Sequence, residues 1–394
     1  DSPLGTDQVR GNGGRDTLDF SPTTARIVID LSKLSPIVQL VEPVSSHLRL
    51  ELLDKFENVT GGSGNDDIVG NDLDNVLQGG PGNDSLTGGA GSETYVFDVD
   101  SMWGSETIIE NLSDAGHDII DFSNTTTVAI SLNLSILNTP QVVHNPNLTL
   151  TIVGEGVEEV RGGSKNDTLR GNSNDNILRG NAGNDLLDGK SGKDILDGGA
   201  GNDDLNGGPG IDTINESADT SFTLTNSSLT RGNGEVDALN NLEVANLTGG
   251  TSSNVFDLSG WTASGSVKGA GGFDTLVVAG EASFVLTNTS LTATNGLSIS
   301  LNSIELVRLT GGPGDNTFNA AGFSGTTVLT GGDGNDTFLA GSGSDFVHGG
   351  LGTDTYQRNL SALVTVNVTA TLQNSALHLV IDPFGTPQSE TDWL

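Results

Sequence analysis

Residues 162–215 read GGSKNDTLR GNSNDNILR GNAGNDLLD GKSGKDILD GGAGNDDLN GGPGIDTIN, six units of nine residues with nothing between them. The shared pattern is G-G-x-G-x-D-x-U-x, with U a large apolar residue. The glycines permit positive φ and close backbone approach, which a tight turn with inward carbonyls needs. The aspartate supplies a hard oxygen. The x-U-x triplet reads as a very short strand whose one apolar side chain points into a narrow core. A single unit cannot bury that side chain, whereas stacked neighbours can. Two units therefore make one coil of 18 residues, with a turn on each side.

The same unit recurs along the chain. Four tandem copies fill 61–96 and three fill 331–357, and isolated copies stand at 11–19, 269–277 and 311–319. So many copies in register closely resemble the RTX (repeats-in-toxin) calcium-binding nonapeptide. That resemblance implies an all-β fold, a parallel β-roll or β-solenoid, with Ca²⁺ held between successive turns by carboxylates and carbonyls, six to eight oxygens in all. If two turns one coil apart sandwich an ion, ligand aspartates should recur at a spacing of 18. They do, in five pairs: Asp66/Asp84, Asp167/Asp185, Asp185/Asp203, Asp194/Asp212 and Asp336/Asp354. Asn75 with Glu93 and Asn176 with Asp194 are diluted pairs, because Asn keeps an oxygen but loses a charge. Asp16, Asp118, Asp274 and Asp345 are weaker candidates in isolated or off-ladder positions. About five strong Ca²⁺ sites are expected.

Composition agrees with this reading and excludes others. With 16 Lys plus Arg against 51 Asp plus Glu, the formal charge is −35, so no basic stripe exists to replace counterions on a nucleic acid. The absence of Cys excludes a disulfide scaffold, and no run of about 20 apolar residues offers a membrane span. Glycine, 56 of 394 residues, would suit a disordered acidic chain. Alternating apolar runs such as Ala25–Leu31, Leu148–Val153 and Leu363–Val368 oppose that and read as strands.

A second period of 62 residues lies in the C-terminal half. Phe222–Thr230 matches Phe284–Thr292, and the same offset carries Asp212 to Asp274, Asn254 to Asn316 and Asp274 to Asp336. The spacers share a design too: FENVTGG at 56–62, VEEVRGG at 157–163, and the stretches 242–250 and 304–312 each feed an apolar strand into a glycine pair. These spacers read as wider coils without metal. The expected organisation is an N-terminal unit and strand/loop spacer over 1–60, a run over 61–96, a β spacer over 97–161 and a run over 162–215. Three 62-residue repeats follow over 207–394, the last with an extra coil at 331–357. One continuous solenoid, a rod on the order of 100 Å long at about 4.8 Å per coil, is the alternative organisation. Residues 36–57, with Pro36 and Pro43, are expected to bulge as a loop or short helix, and 138–147 to protrude as a loop.

Catalytic motifs are missing. There is no H-E-x-x-H and no G-x-S-x-G, and His47, His117, His144, His348 and His378 are scattered without ligand spacing. Tyr95, Tyr356, Trp103 and Trp261 are expected in the core. The chain is therefore expected not to be an enzyme; a β-helix polysaccharide lyase or epimerase is a weaker alternative. Asn-x-Ser/Thr patterns make Asn58, Asn111, Asn124, Asn133, Asn226, Asn246, Asn288 and Asn367 chemically acceptable glycosylation acceptors.

The expected setting is extracellular or cell-surface, in a Gram-negative-type bacterium. The resemblance implies type I export of an unfolded chain followed by calcium-driven folding outside. The chain begins at Asp1 rather than Met, with no secretory leader in view, so it is expected to be processed or a segment of something larger. Two functions compete, and the first is favoured because the solenoid pattern fills nearly the whole chain. In the first, the solenoid is itself a structural or adhesive protein, a surface-layer or fibre subunit that stacks end to end and engages glycans or cell-surface ligands. In the second, it is a calcium-folding carrier segment of a larger RTX toxin or secreted enzyme.

Overall fold

A computed structural model describes residues 6–41, 48–110, 116–359, 367–373, 378–379 and 392–393, with side chains to residue 358. The fold is all-β: the described residues form strands joined by turns, with no helix. It divides into two compact units, Asp1–Asp212 and Thr213–Leu394.

In the first unit the nonapeptide triplets are three-residue strands such as Thr168–Arg170, Leu186–Asp188 and Asp204–Asn206, each burying its middle residue. They stack in parallel, so that Leu169, Leu187 and Leu205 lie in one row. Opposite them, Leu178 stacks on Leu196. This second row runs back through the spacers: Val160, Ile120, Tyr95, Leu77, Val59 and Leu18 each pair with the next, in register. Repeat and spacer therefore share a core wall, which is why the spacers alternate as strands. A further wall carries Ile29, Ile68, Leu86, Ile108 and Ile152. Apart from Leu18, which is nearly buried, every residue in these rows is almost fully removed from water. That removal stabilises by about 2 kcal/mol per side chain.

Two local expectations change. Residues 36–57 contain no described helix: Val38–Leu40 and Arg49–Leu52 pair antiparallel, and Asp7–Val9 adds in parallel to the latter. The 138–147 stretch is not simply a loop. Gln141–His144 folds back antiparallel on Leu148–Val153, because Gln141 and Val143 alternate with exposed Val142 and face inward.

In the second unit the 62-residue period is a structural repeat. Phe222–Thr225 with Ser228–Arg231 and Phe284–Thr287 with Ser290–Ala293 are equivalent hairpins. Phe222 stacks on Phe256 at 5.6 Å, and its counterpart Phe284 packs on Phe318 at 5.4 Å. Phe318 continues onto Phe338 at 4.9 Å, and Phe338 pairs in register with Tyr356. Tyr95, Tyr356, Trp103 and Trp261 are all buried. Of the strand expected over Leu363–Val368, residues 363–366 lie outside the described residues, and the last two open the strand Asn367–Gln373.

Candidate metal turns

The turns bring the ladder residues together one coil apart. The backbone N–H of Asp167 donates to Oδ1 of Asp185 (2.7 Å), and that of Asp185 to Oδ1 of Asp203 (2.8 Å). On the opposite edge Asn176 donates to Asp194 and Asp194 to Asp212, both at 2.8 Å. Asp66 donates likewise to Asp84 (2.7 Å) and Asp336 to Asp354 (3.0 Å). All five acidic pairs are therefore spatial neighbours, and all nine aspartates are 3% exposed or less.

A buried carboxylate needs partners for both oxygens. In this ladder Oδ1 takes the N–H of the preceding coil. Oδ2 of Asp84, Asp185, Asp194, Asp336 and Asp354 accepts no hydrogen bond. The first glycine of each turn explains where that oxygen points. A Cβ on Gly180 would strike Oδ2 of Asp185 and the carbonyl oxygen of Gly198; one on Gly331 would strike Oδ2 of Asp336 and the carbonyl of Gly349. Two hard oxygens converge on a space that only glycine leaves open, which fits the donor set of a calcium ion.

The turns come in two forms. In the first coil of each long run the second residue keeps ordinary φ and its N–H closes onto the turn's own side-chain oxygen. Gly62 donates to Asp66 (2.7 Å), Asn71 to Asn75 (2.7 Å), Gly163 to Asp167 (2.6 Å) and Asn172 to Asn176 (2.7 Å). In later coils, and at Gly332 (112°) in the shorter run 331–357, the second residue takes positive φ, as at Gly80 (96°), Asn181 (72°) and Lys190 (79°). Asp66 and Asp167 thus have both oxygens engaged, since Oδ1 accepts from Ile27 and Ile130 at 2.8 Å. The open turns are those with Oδ2 left over.

Burial raises the carboxyl pKa of Asp84 and Asp185 to about 7 and of Asp167 and Asp194 to about 6, and it pushes Asp66 and Asp336 upward as well. For Asp185 the neighbouring charges of Asp167 and Asp203 add to the rise. Desolvation and like charge both oppose ionisation.

The diluted and isolated candidates fall differently. Asn75 and Glu93 lie one coil apart, but the Asn75 amide donates to the Glu57 carbonyl (3.0 Å), and the Glu93 N–H goes on to Oδ1 of Asp118 (2.8 Å). Asp16 and Asp274 fill the Cβ space of Gly11 and Gly269, so their single nonapeptides build the same turn as the tandem ones. Asp345 finds the Thr327 hydroxyl (2.6 Å) at the position one coil back, where a carboxylate would be needed.

Sequence reasoning missed three residues. Asn254 and Asn316 donate to Asp274 and Asp336 at 2.8 Å across a spacing of 20, because those coils are two residues longer than the tandem ones. Glu110 joins Glu93 and Asp118 in a buried set with one oxygen of each within 4.8 Å of the others. It follows a spacer strand and belongs to no nonapeptide, so spacing gave no signal for it. Among the glycosylation candidates Asn124, Asn226 and Asn288 are exposed, while Asn58, Asn133 and Asn246 are half-buried in strands. Asn111 and the side chain of Asn367 lie outside the described residues. Nε2 of His117 contacts Glu159 at 2.9 Å. No helix among the described residues is long and apolar enough to cross a membrane.

Residues 152–187, 179–214 and 321–356 match the family described as RTX calcium-binding nonapeptide repeat (4 copies). Residues 8–143 match that described as Peptidase M10 serralysin C terminal. No curated protein matches the chain. The crystal structure of extracellular lipase LipA from Serratia marcescens aligns with 72% of this chain and 43% of its own, at 17% identity and a TM-score of 0.20. The chain thus spans less than half of that lipase, and the likeness is too slight to carry an argument. The repeats, the parallel coils and the matched segments agree: the chain is an RTX-type nonapeptide repeat protein, built as a calcium-binding β-roll.

Proposed function

We propose that this chain is the calcium-folding segment of an exported protein, kept loose where calcium is scarce and closed into a roll outside the cell. The observation that carries the reading is the buried Oδ2 of Asp84, Asp185, Asp194, Asp336 and Asp354, which accepts no hydrogen bond and, at Asp185 and Asp336, lies beside a carbonyl of the next coil. Such charges oppose burial on their own, and a divalent cation between them turns the opposition into a bond. The match of 8–143 to a serralysin C-terminal segment supports a folding module that accompanies an exported partner. In this reading the aspartate pairs hold about five ions and the chain carries no catalytic centre. Calorimetric titration with calcium tests it: uptake of several ions is expected, and no uptake at millimolar calcium would defeat the proposal.

A structural or adhesive role is the second reading. It is favoured by the 62-residue copies of the second unit, whose hairpins and phenylalanine stacks repeat a shape with few ladder carboxylates. Electron microscopy with calcium separates the two, since filaments would support the structural role and uniform single particles the carrier.

A further inference from the structure

The spacers carry a recurrent glutamate just ahead of or within their strands: Glu57 in FENV, Glu158 in VEEV and Glu305 in IELV, with Glu106 in the strand Gly104–Ile109. Each one accepts the N–H of a turn aspartate. Asp16 donates to Oε2 of Glu57 (2.8 Å), Asp84 to Glu106 (3.2 Å), Asp118 to Glu158 (2.8 Å) and Asp274 to Glu305 (2.8 Å). This is the hydrogen bond that the next aspartate supplies in the tandem runs. The sequence separations are 41, 22, 40 and 31 rather than 18. The longer glutamate side chain delivers its carboxylate from a backbone that arrives through a wider coil.

We propose that these spacer glutamates are cation ligands, each closing a calcium site with the aspartate of the adjoining turn, so that the wider coils are not metal-free. The inference rests on the reading of the ladder as calcium sites. Two members show the unused oxygens that an ion would take. Asp84 and Glu106 are 2% and 1% exposed, and Oδ2 of the first and Oε1 of the second accept no hydrogen bond. Asp274 is 1% exposed with Oδ2 likewise unpartnered. A Cβ on Gly269 would strike that oxygen and the carbonyl oxygen of Ser303, two residues before Glu305. The spacer coil therefore brings a carbonyl and a carboxylate to the turn of Asp274, as Gly349 and Asp354 do for Asp336. The glutamates also give the isolated units 11–19 and 269–277 the second acidic partner that nonapeptide spacing denies them.

Glu106→Gln and Glu305→Gln test this. Glutamine keeps an oxygen to accept the aspartate N–H and removes only the charge, so the circular dichroism at saturating calcium should match wild type. Bound ions are then counted by native mass spectrometry with calcium alone as probe. Each variant should hold one ion fewer than wild type, and the double variant two fewer. Wild-type counts in both variants at the same calcium concentration would overturn the inference while leaving the aspartate sites intact. A wild-type protein that binds no calcium would instead overturn the reading on which it rests. The two glutamates lie in different units, so a folding failure of one variant leaves the other to decide.

Discussion

Asp185 shows what one residue does here. Its Oδ1 accepts the N–H of Asp167, its own N–H goes to Asp203, and its Oδ2 points into the space left by Gly180. It therefore has an acidic neighbour on both sides, whereas Asp336 has Asp354 on one side and Asn316 on the other. Asp185→Ala should raise the calcium midpoint of folding more than Asp336→Ala, which calcium-titrated circular dichroism reads directly; equal and negligible shifts would make the turns decorative. The raised carboxyl pKa values add a pH signature. In chelator the folded chain holds protons on Asp84, Asp167, Asp185 and Asp194 that the unfolded chain releases near 3.8. This contribution to stability is fully present below that value and is lost as pH rises through about 6 to 7. Calcium-free protein should thus be more ordered at pH 5 than at pH 8. With calcium the trend reverses, because protons compete for the same oxygens. Thermal melts at both pH values, with and without chelator, check the crossover.

At the scale of elements, what the sequence made legible was periodicity. A strict nine-residue unit fixed the three-residue strands, the inward apolar row and the neighbours at spacing 18, since each follows from stacking equal coils. Coils of other lengths escaped the arithmetic. Asn254 and Asn316 sit at spacing 20, and Glu110 and the spacer glutamates reach the turns from strands whose partners only the folded register reveals. The hairpin copies carry another feature that no pattern announces. In the first copy Arg231, 3% exposed, bonds Glu216 at 2.8 Å and Asp237 at 2.9 Å. Sixty-two residues on, the same places hold Ala293, Val278 and Ile299. A buried charge left without its partners is costly, while an apolar replacement of the whole cluster is often neutral. Arg231→Ala alone should destabilise the second unit by about 3–5 kcal/mol. The triple change Arg231→Ala, Glu216→Val, Asp237→Ile should be close to neutral, with urea unfolding as the measure. A triple variant no more stable than the single one would show that the copies do not share a core.

For the whole molecule the charge of −35 is the dominant fact. Five ions at the aspartate pairs would reduce it to about −25, enough to keep the folded protein soluble. Without them, buried like charges oppose stacking in every tandem run, and the apolar rows alone must hold the coils. Glycine content that suggests disorder in an ordinary chain here marks the places where a carboxylate and a carbonyl must meet. On the proposed reading, calcium binding and folding are one equilibrium. Far-ultraviolet circular dichroism of the intact chain at pH 8, titrated with calcium and then with a chelator, tests it most directly. A cooperative conversion from coil to β-structure that the chelator reverses is expected; a full β spectrum in chelator, unchanged by added calcium, would show that folding does not need the ion.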